Sequence, residues 1–378
     1  MTGKNQSYAR CLNNRLVMRE LLSESMSATM LSHKLNLSNA ALSDITDDLK
    51  KRGYIRETDN EVSSGSPGRR PVYYSVNENF GCIVVVSISD YKVKIVLSDM
   101  KKNIVHSEET RVECYDVATV YEIILSVKNI LALPKFRDIP LMGIELSVPG
   151  RVNKLTGELL LSPQFNGDLF GENKSIAALF ARQFDAPVRM TNDVNLAAVG
   201  EMHCGALKDV ENGILLHVDE GIGGALILGG KLYTGTKGFA GEFGLMHGSL
   251  GGRTDVLDEL VSLRAIKNRI KEERGEYLHT AEVVRVYNED AQIKNYILDT
   301  ARCIGKMLKD LVEILDVSTI VLSGRVTDFG QEYLKEMNKE VFGTIVGAQI
   351  LPSGLTGNAP IIGAVSKAVE ALIDDIFQ

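Results

Sequence analysis

The sequence runs to 378 residues, 44% of them apolar, with a mean hydropathy near zero and a formal net charge of −7. That length allows two or three hydrophobic cores; no stretch approaches the roughly 18–20 uninterrupted apolar residues of a membrane span, and no apolar secretory run opens the chain, so a cytoplasmic protein is expected. Five widely separated cysteines (Cys11, Cys82, Cys114, Cys204 and Cys303) form no close pair, which argues against a disulfide framework or a local zinc knuckle.

The first eighty residues depart from the overall acidity, with 11 Lys and Arg against 9 Asp and Glu. Contact with nucleic-acid phosphate is therefore expected there and not in the acidic remainder. Asn13 to Ser23 reads as a helix, with Leu16, Val17, Met18, Leu21 and Leu22 at helical spacing. Ser27 can cap a second short helix, Ala28 to Leu35. In the third, Ser38 stands at the N-cap, Ala41, Leu42, Ile45 and Leu49 form the apolar stripe, and Gly53 stops the helix after a basic last turn. Two strands follow, Tyr54 to Thr58 and Val72 to Val76, around the tip SSGSPGRRP, where Gly65 and Gly68 let the chain turn. Three helices, a tight Asn36-Leu37 turn and a basic hairpin make a winged helix-turn-helix over residues 1–78. Its last helix would present Ser38, Asn39, Ala40, Ser43 and Asp44 to the major groove, while Arg69 and Arg70 reach phosphate or a narrow minor groove. Asp44, Asp47 and Asp48 oppose tight binding unless turned away from the backbone, and a small protein-binding helical module is the alternative.

Residues 79–378 read as an α/β domain. Gly81 to Asp99 holds two β-branched runs suited to a hairpin; ILLHV and ALILGGKLY are short strands. Ile176 to Phe184, Leu257 to Glu272 and Asn295 to Leu315 have helical spacing. Alternation on this scale suggests two lobes around a cleft: residues 79–190 with a closing helix at 360–378, and residues 191–359.

Four ordered segments resemble the ROK family of bacterial repressors and sugar kinases. ELSVPGRVNKLTGELLLSP (Glu145 to Pro163) is similar to the turn before that family's sugar site, and TNDVNLAAVGE (Thr191 to Glu201) to the segment whose Asn-Asp pair holds sugar hydroxyls. DEGIGGALILGGKLYTGTKGFAGEFG (Asp219 to Gly244) resembles its glycine-rich hairpins, and IIGAVSKAVEAL its closing helix. The resemblance implies a two-lobed actin/hexokinase-like, ribonuclease H-like fold behind the winged head. It also implies that Asn192, Asp193 and Glu242 contact a ligand, with Asp258 where the family has Glu.

The phosphate-binding signals depart from the family. Its Asp-x-Gly-Gly-Thr hairpin is Ser87, Ile88, Ser89, Asp90 and Tyr91; its Gly-Thr-Gly turn is Asp219, Glu220 and Gly221; its glycine triplet is Ser323, Gly324 and Arg325. A polyphosphate needs backbone N–H groups at close range, which side chains and carboxylates obstruct. Leu245 replaces the zinc-binding His, and Ser249 to Val256 has no cysteine, so neither zinc nor a cofactor is expected. The expectation is a non-catalytic repressor of carbohydrate-utilisation genes. It would act as a homodimer or dimer of dimers on a palindromic operator, with a sugar or sugar derivative closing the lobes and resetting the spacing of the heads. Two alternatives stay open: an active sugar kinase with a DNA-binding head, and a regulator that senses a protein partner. The acids could also serve only as local caps and ion pairs.

Overall fold

The structure, a computed structural model, describes residues 2–58, 72–162, 164–165, 175–355 and 357–378. The chain divides into two compact units, one of residues 1–146, 164–190 and 365–378, the other of 147–163 and 191–364.

The first unit opens with helix α1, Thr2–Ser23, which starts eleven residues before the expected Asn13 because no proline or cap interrupts the intervening helix-tolerant stretch. Helix α2, Ala28–Leu35, begins where the Ser27 hydroxyl accepts from the Met30 amide at 3.3 Å, and it ends on Asn36 at φ 53°. Helix α3, Asn39–Lys51, begins in the same way at Ser38, and it buries Leu42, Ile45 and Leu49 along one stripe. A three-stranded sheet completes the head: Tyr73–Val76 pairs antiparallel with both Ile55–Thr58 and Met26–Ser27. The wing residues Gly65, Gly68, Arg69 and Arg70 lie outside the described residues.

A five-stranded sheet follows, in the order Val188–Asn192, Leu141–Val148, Cys82–Ser89, Lys92–Asp99, Ile104–Arg111. Its central strand, CIVVVSIS, is an apolar run rather than an alternating one, as burial on both faces demands. Glu145, fully buried, accepts from Lys367 Nζ at 3.0 Å. Arg19 of α1 donates to both carboxylate oxygens of Asp374, and Tyr54 meets Phe377 edge-on at 5.9 Å, so the head is fastened to the last residues of the chain.

The second unit carries its own five-stranded sheet, ordered Lys231–Tyr233, Ile222–Leu228, Gly213–Val218, Thr319–Ser323, Gln349–Pro352. Gly213–Val218 lies antiparallel to Ile222–Leu228 and parallel to Thr319–Ser323. Alternate side chains serve two cores. Ile214, Leu216 and Val218 join the helices Leu263–Arg274 and Ala291–Leu315, while Leu215 joins Val194, Ala197 and Ala198 of the helix Asp193–Cys204. Both faces are thus covered, giving a mixed α/β architecture.

Three further helix boundaries differ from expectation. Leu257 to Glu272 is two helices, Leu257–Val261 and Leu263–Arg274, because Ser262 takes extended backbone angles, caps the second through the Ala265 amide at 3.1 Å, and frees the Leu263 amide to bond the Asp219 carbonyl at 2.7 Å. The helix from Ile176 ends at Ala181 instead of Phe184, and the helix expected from Asn295 starts at Ala291, where Asp290 caps it.

Candidate functional site

The second unit holds a small polar pocket built by turns that only glycine permits. Gly150 sits at φ 123°, and a Cβ there would collide with the Leu161 carbonyl oxygen; Gly241 at φ 93° lies equally close to the Gly224 carbonyl. Asn192 caps the helix Asp193–Cys204. Its Oδ1 accepts from the Asn195 amide at 2.9 Å, and its Nδ2 donates to the Gly150 carbonyl at 2.9 Å and to Asp193 Oδ1 at 3.2 Å. Asp193 Oδ1 also accepts from the Val194 amide at 2.9 Å. Across the pocket, Arg151 donates to Glu242 Oε2 at 3.1 Å.

Arg151, Asn192, Asn195 and Glu242 line the pocket together with Gly150 and Gly224. The cavity measures about 30 Å³, room for a water or two, whereas small-molecule sites run to roughly 300–1,000 Å³. A sugar would therefore need local widening of this pocket. Asn192 and Glu242 are brought together as the sequence suggested, with Asp193 beside Asn192. Asp258 is not among the lining residues; its carboxylate accepts from the Ile222 amide at 2.7 Å and from Arg264 at 2.6 Å. Leu245 is solvent-exposed.

The turns that the resemblance aligns with the family's phosphate-binding loops carry side chains. In the first unit Asp90 and Tyr91 form a two-residue hairpin turn with both φ angles positive, 42° and 59°, between paired Ser89 and Lys92. Tyr91 stacks on Tyr115 at 6.1 Å, and the Tyr115 hydroxyl, its pKa raised by burial, donates to the Lys92 carbonyl at 3.0 Å.

In the second unit Gly324, at φ 91°, passes tight against the Val218 carbonyl and returns Arg325 onto Asp219. Arg325 Nε lies 2.7 Å from Asp219 Oδ1 and its backbone N–H 3.1 Å from Oδ2, while Nη2 reaches Glu220 at 3.3 Å. Glu220 also pairs with Lys267, which is only 5% exposed. Burial works against ionisation of Asp219, but hydrogen bonding from Arg325 and the positive charge beside it prevail and hold this carboxyl below its ordinary value. The two acids are thus neutralised by Arg325 and Lys267, so the negative charge read from the sequence is offset and both cations are committed to these pairs. An open cavity of about 480 Å³ borders the cluster, lined by Glu220, Lys267, His279, Thr280 and Arg325 among others.

On the head, Ser38, Asn39, Ala40, Ser43 and Asp44 are all exposed at the N-terminal half of α3, and Ser38 uses its hydroxyl to accept from the Ala41 amide at 3.2 Å. Two of the three worrying acids have partners: Asp47 lies 3.4 Å from Lys50, and Asp48 lies 3.1 Å from Arg52 and 3.6 Å from Arg10.

Sequence reasoning overlooked Arg151, Asn195 and Lys267. Asn195 had a usable signal, since a residue three places after an N-cap asparagine returns to the same side of the helix. Lys267 had none, because its partner Glu220 is 47 residues away.

The ROK family model matches residues 84–370. A xylose repressor of Caldicellulosiruptor bescii is 25% identical over an alignment covering 98% of each chain. Among solved structures, a ROK family transcriptional regulator described as a homolog of the E. coli MLC protein superposes with a TM-score of 0.83 at 17% identity, covering 98% of this chain and 99% of that one. The ROK hexokinase from Thermus thermophilus gives 0.64 at 22% identity, covering 75% and 96%. Among the described residues, no helix is long and apolar enough to cross a membrane.

Proposed function

The chain belongs to the ROK family, and from that premise we propose that it is a cytoplasmic DNA-binding repressor of carbohydrate genes whose second unit binds a sugar or sugar derivative without phosphorylating it. The observation that carries the regulatory half is the α2–turn–α3 unit. Asn36 in the left-handed region and Ser38 at the cap set α3 off from α2, leaving Asn39, Ala40, Ser43 and Asp44 exposed at its start, where a recognition helix meets base edges. The end-to-end likeness to a xylose repressor supports the same reading.

Sensing rests on Asn192, Asp193 and Glu242, whose polar groups suit the hydroxyls of a sugar. Absence of phosphoryl transfer rests on Arg325 and Lys267 being spent on Asp219 and Glu220, and on the tyrosine turn at residues 90–91. A homodimer would match a palindromic operator, and induction requires the sugar to favour one of two conformations. A gel-shift titration on the DNA upstream of the protein's own gene, with and without a panel of aldopentoses and aldohexoses, tests both halves. Binding that no sugar alters would remove the sensing half.

The narrow cavity favours a second reading, a regulator that responds to a protein partner. Calorimetry showing intact operator binding and no heat from any sugar would select it.

A further inference from the structure

Asn195 is the third residue of the helix Asp193–Cys204, and it is 7% exposed. Its backbone N–H is used by the Asn192 cap, yet its side-chain Oδ1 is buried with no hydrogen-bond partner among the described residues. A glutamine or glutamate at this helical position can reach back to the amide of the capping residue, but asparagine is one methylene too short. A buried amide oxygen left unmatched costs roughly 1–3 kcal/mol, so a protein that keeps one has a use for it. This one belongs to a residue lining the pocket that also contains Asn192, Arg151 and Glu242.

We propose that Asn195 reads the ligand: its Oδ1 accepts a hydrogen bond from a hydroxyl of a polyol bound in this pocket, and so discriminates among sugars by whether a donor is present there. This rests on the sugar-sensing reading above and deepens it. A site built to hydrogen-bond a hydroxyl rejects an analogue that lacks it far more strongly than an apolar wall rejects an extra group. Asn192 Oδ1 already has one of its two lone pairs committed to the Asn195 amide, whereas Asn195 Oδ1 has no partner among the described residues.

The test uses the full-length protein, D-xylose, D-glucose, D-ribose and N-acetyl-D-glucosamine with their monodeoxy analogues, and three variants: Asn195→Leu, Asn195→Ala and Asn195→Asp. Calorimetry gives Kd, and thermal unfolding without sugar reports on folding. For whichever sugar binds the wild type, Asn195→Leu and Asn195→Ala are expected to weaken binding at least tenfold, and Asn195→Asp, which keeps an acceptor, to weaken it less. One deoxy analogue should bind wild type and Asn195→Ala with the same reduced affinity. Without sugar, Asn195→Leu should unfold no earlier than wild type, since no protein hydrogen bond is lost.

A lowered unfolding temperature combined with unchanged sugar affinity would overturn the inference and leave Asn195 a holder of structural water. If no sugar on the panel binds the wild type, the sensing reading falls and takes this inference with it, a result distinct from sugar binding that ignores Asn195.

Discussion

Arg325 grips Asp219 with both side chain and backbone, Nε at 2.7 Å from Oδ1 and the amide nitrogen at 3.1 Å from Oδ2. Residues 106 apart in sequence are thereby joined at the ends of two neighbouring parallel strands, Gly213–Val218 and Thr319–Ser323. Arg325→Ala should cost about 1–3 kcal/mol at pH 7, the range for stranding a partly buried hydrogen-bonding group. The sign of its pH dependence follows from Asp219, whose folded-state pKa lies below the ordinary 3.8. The stabilisation is fully present above pH 3.8 and is lost as pH falls through the depressed folded value. Urea titrations should therefore show the wild-type advantage over Arg325→Ala at pH 7 shrinking below about pH 4. A difference constant across that range would mean the pair contributes nothing ionic.

Three exposed residues at the start of α3, Ser38, Asn39 and Ser43, should separate folding from recognition. Ser38→Ala removes the cap to Ala41 and is expected to cost about 1 kcal/mol of stability. Asn39→Ala and Ser43→Ala touch no described hydrogen bond of their side chains and should leave stability within about 0.5 kcal/mol. Anisotropy at one fixed salt concentration should nonetheless show their operator affinity falling roughly 5- to 150-fold wherever a base contact is lost. Unchanged affinity for both would take α3 out of the DNA interface.

No sugar-dependent ADP release is expected with ATP and any aldopentose or aldohexose, because Lys267 and Arg325 are held by Glu220 and Asp219. A coupled assay decides this. Turnover that disappears in Asp193→Ala would make the protein a kinase.

Lys367→Met should be the most damaging of these changes. It removes the ammonium paired with the wholly buried carboxylate of Glu145, at a cost of about 3–5 kcal/mol. Adding Glu145→Gln should restore much of the loss in thermal unfolding, since the remaining amide carries no charge. Failure of the double variant to recover would point to packing by the lysine stem.

Local signals made the head legible. Ser27 and Ser38 as caps, Asn36 as a left-handed stop and the Leu42–Ile45–Leu49 stripe are each decided within one or two helical turns. The turn at Gly150 and the glycine-rich stretch containing Gly241 were legible through the family resemblance alone, and what the two glycines press against was not. Ser262 was misread because it sits inside an apolar stripe, and only the distant Asp219 carbonyl, which takes the Leu263 amide, shows why the helix breaks there. Asp258 marks a similar limit: the family resemblance aligned it with a sugar-binding acid, but its carboxylate is engaged by the Ile222 amide and Arg264. Contacts such as Arg325–Asp219 depend on how two strands register, which no local pattern encodes.

Because Arg151 already occupies Glu242, the pocket contains its own competitor. A molecule seeking that carboxylate displaces an intramolecular rival whose concentration never falls, so its apparent affinity is reduced by the fraction of time the carboxylate is free. Under the proposed sensing role, trace amounts would go unanswered and abundance would register, so that a single arginine would tune the set point.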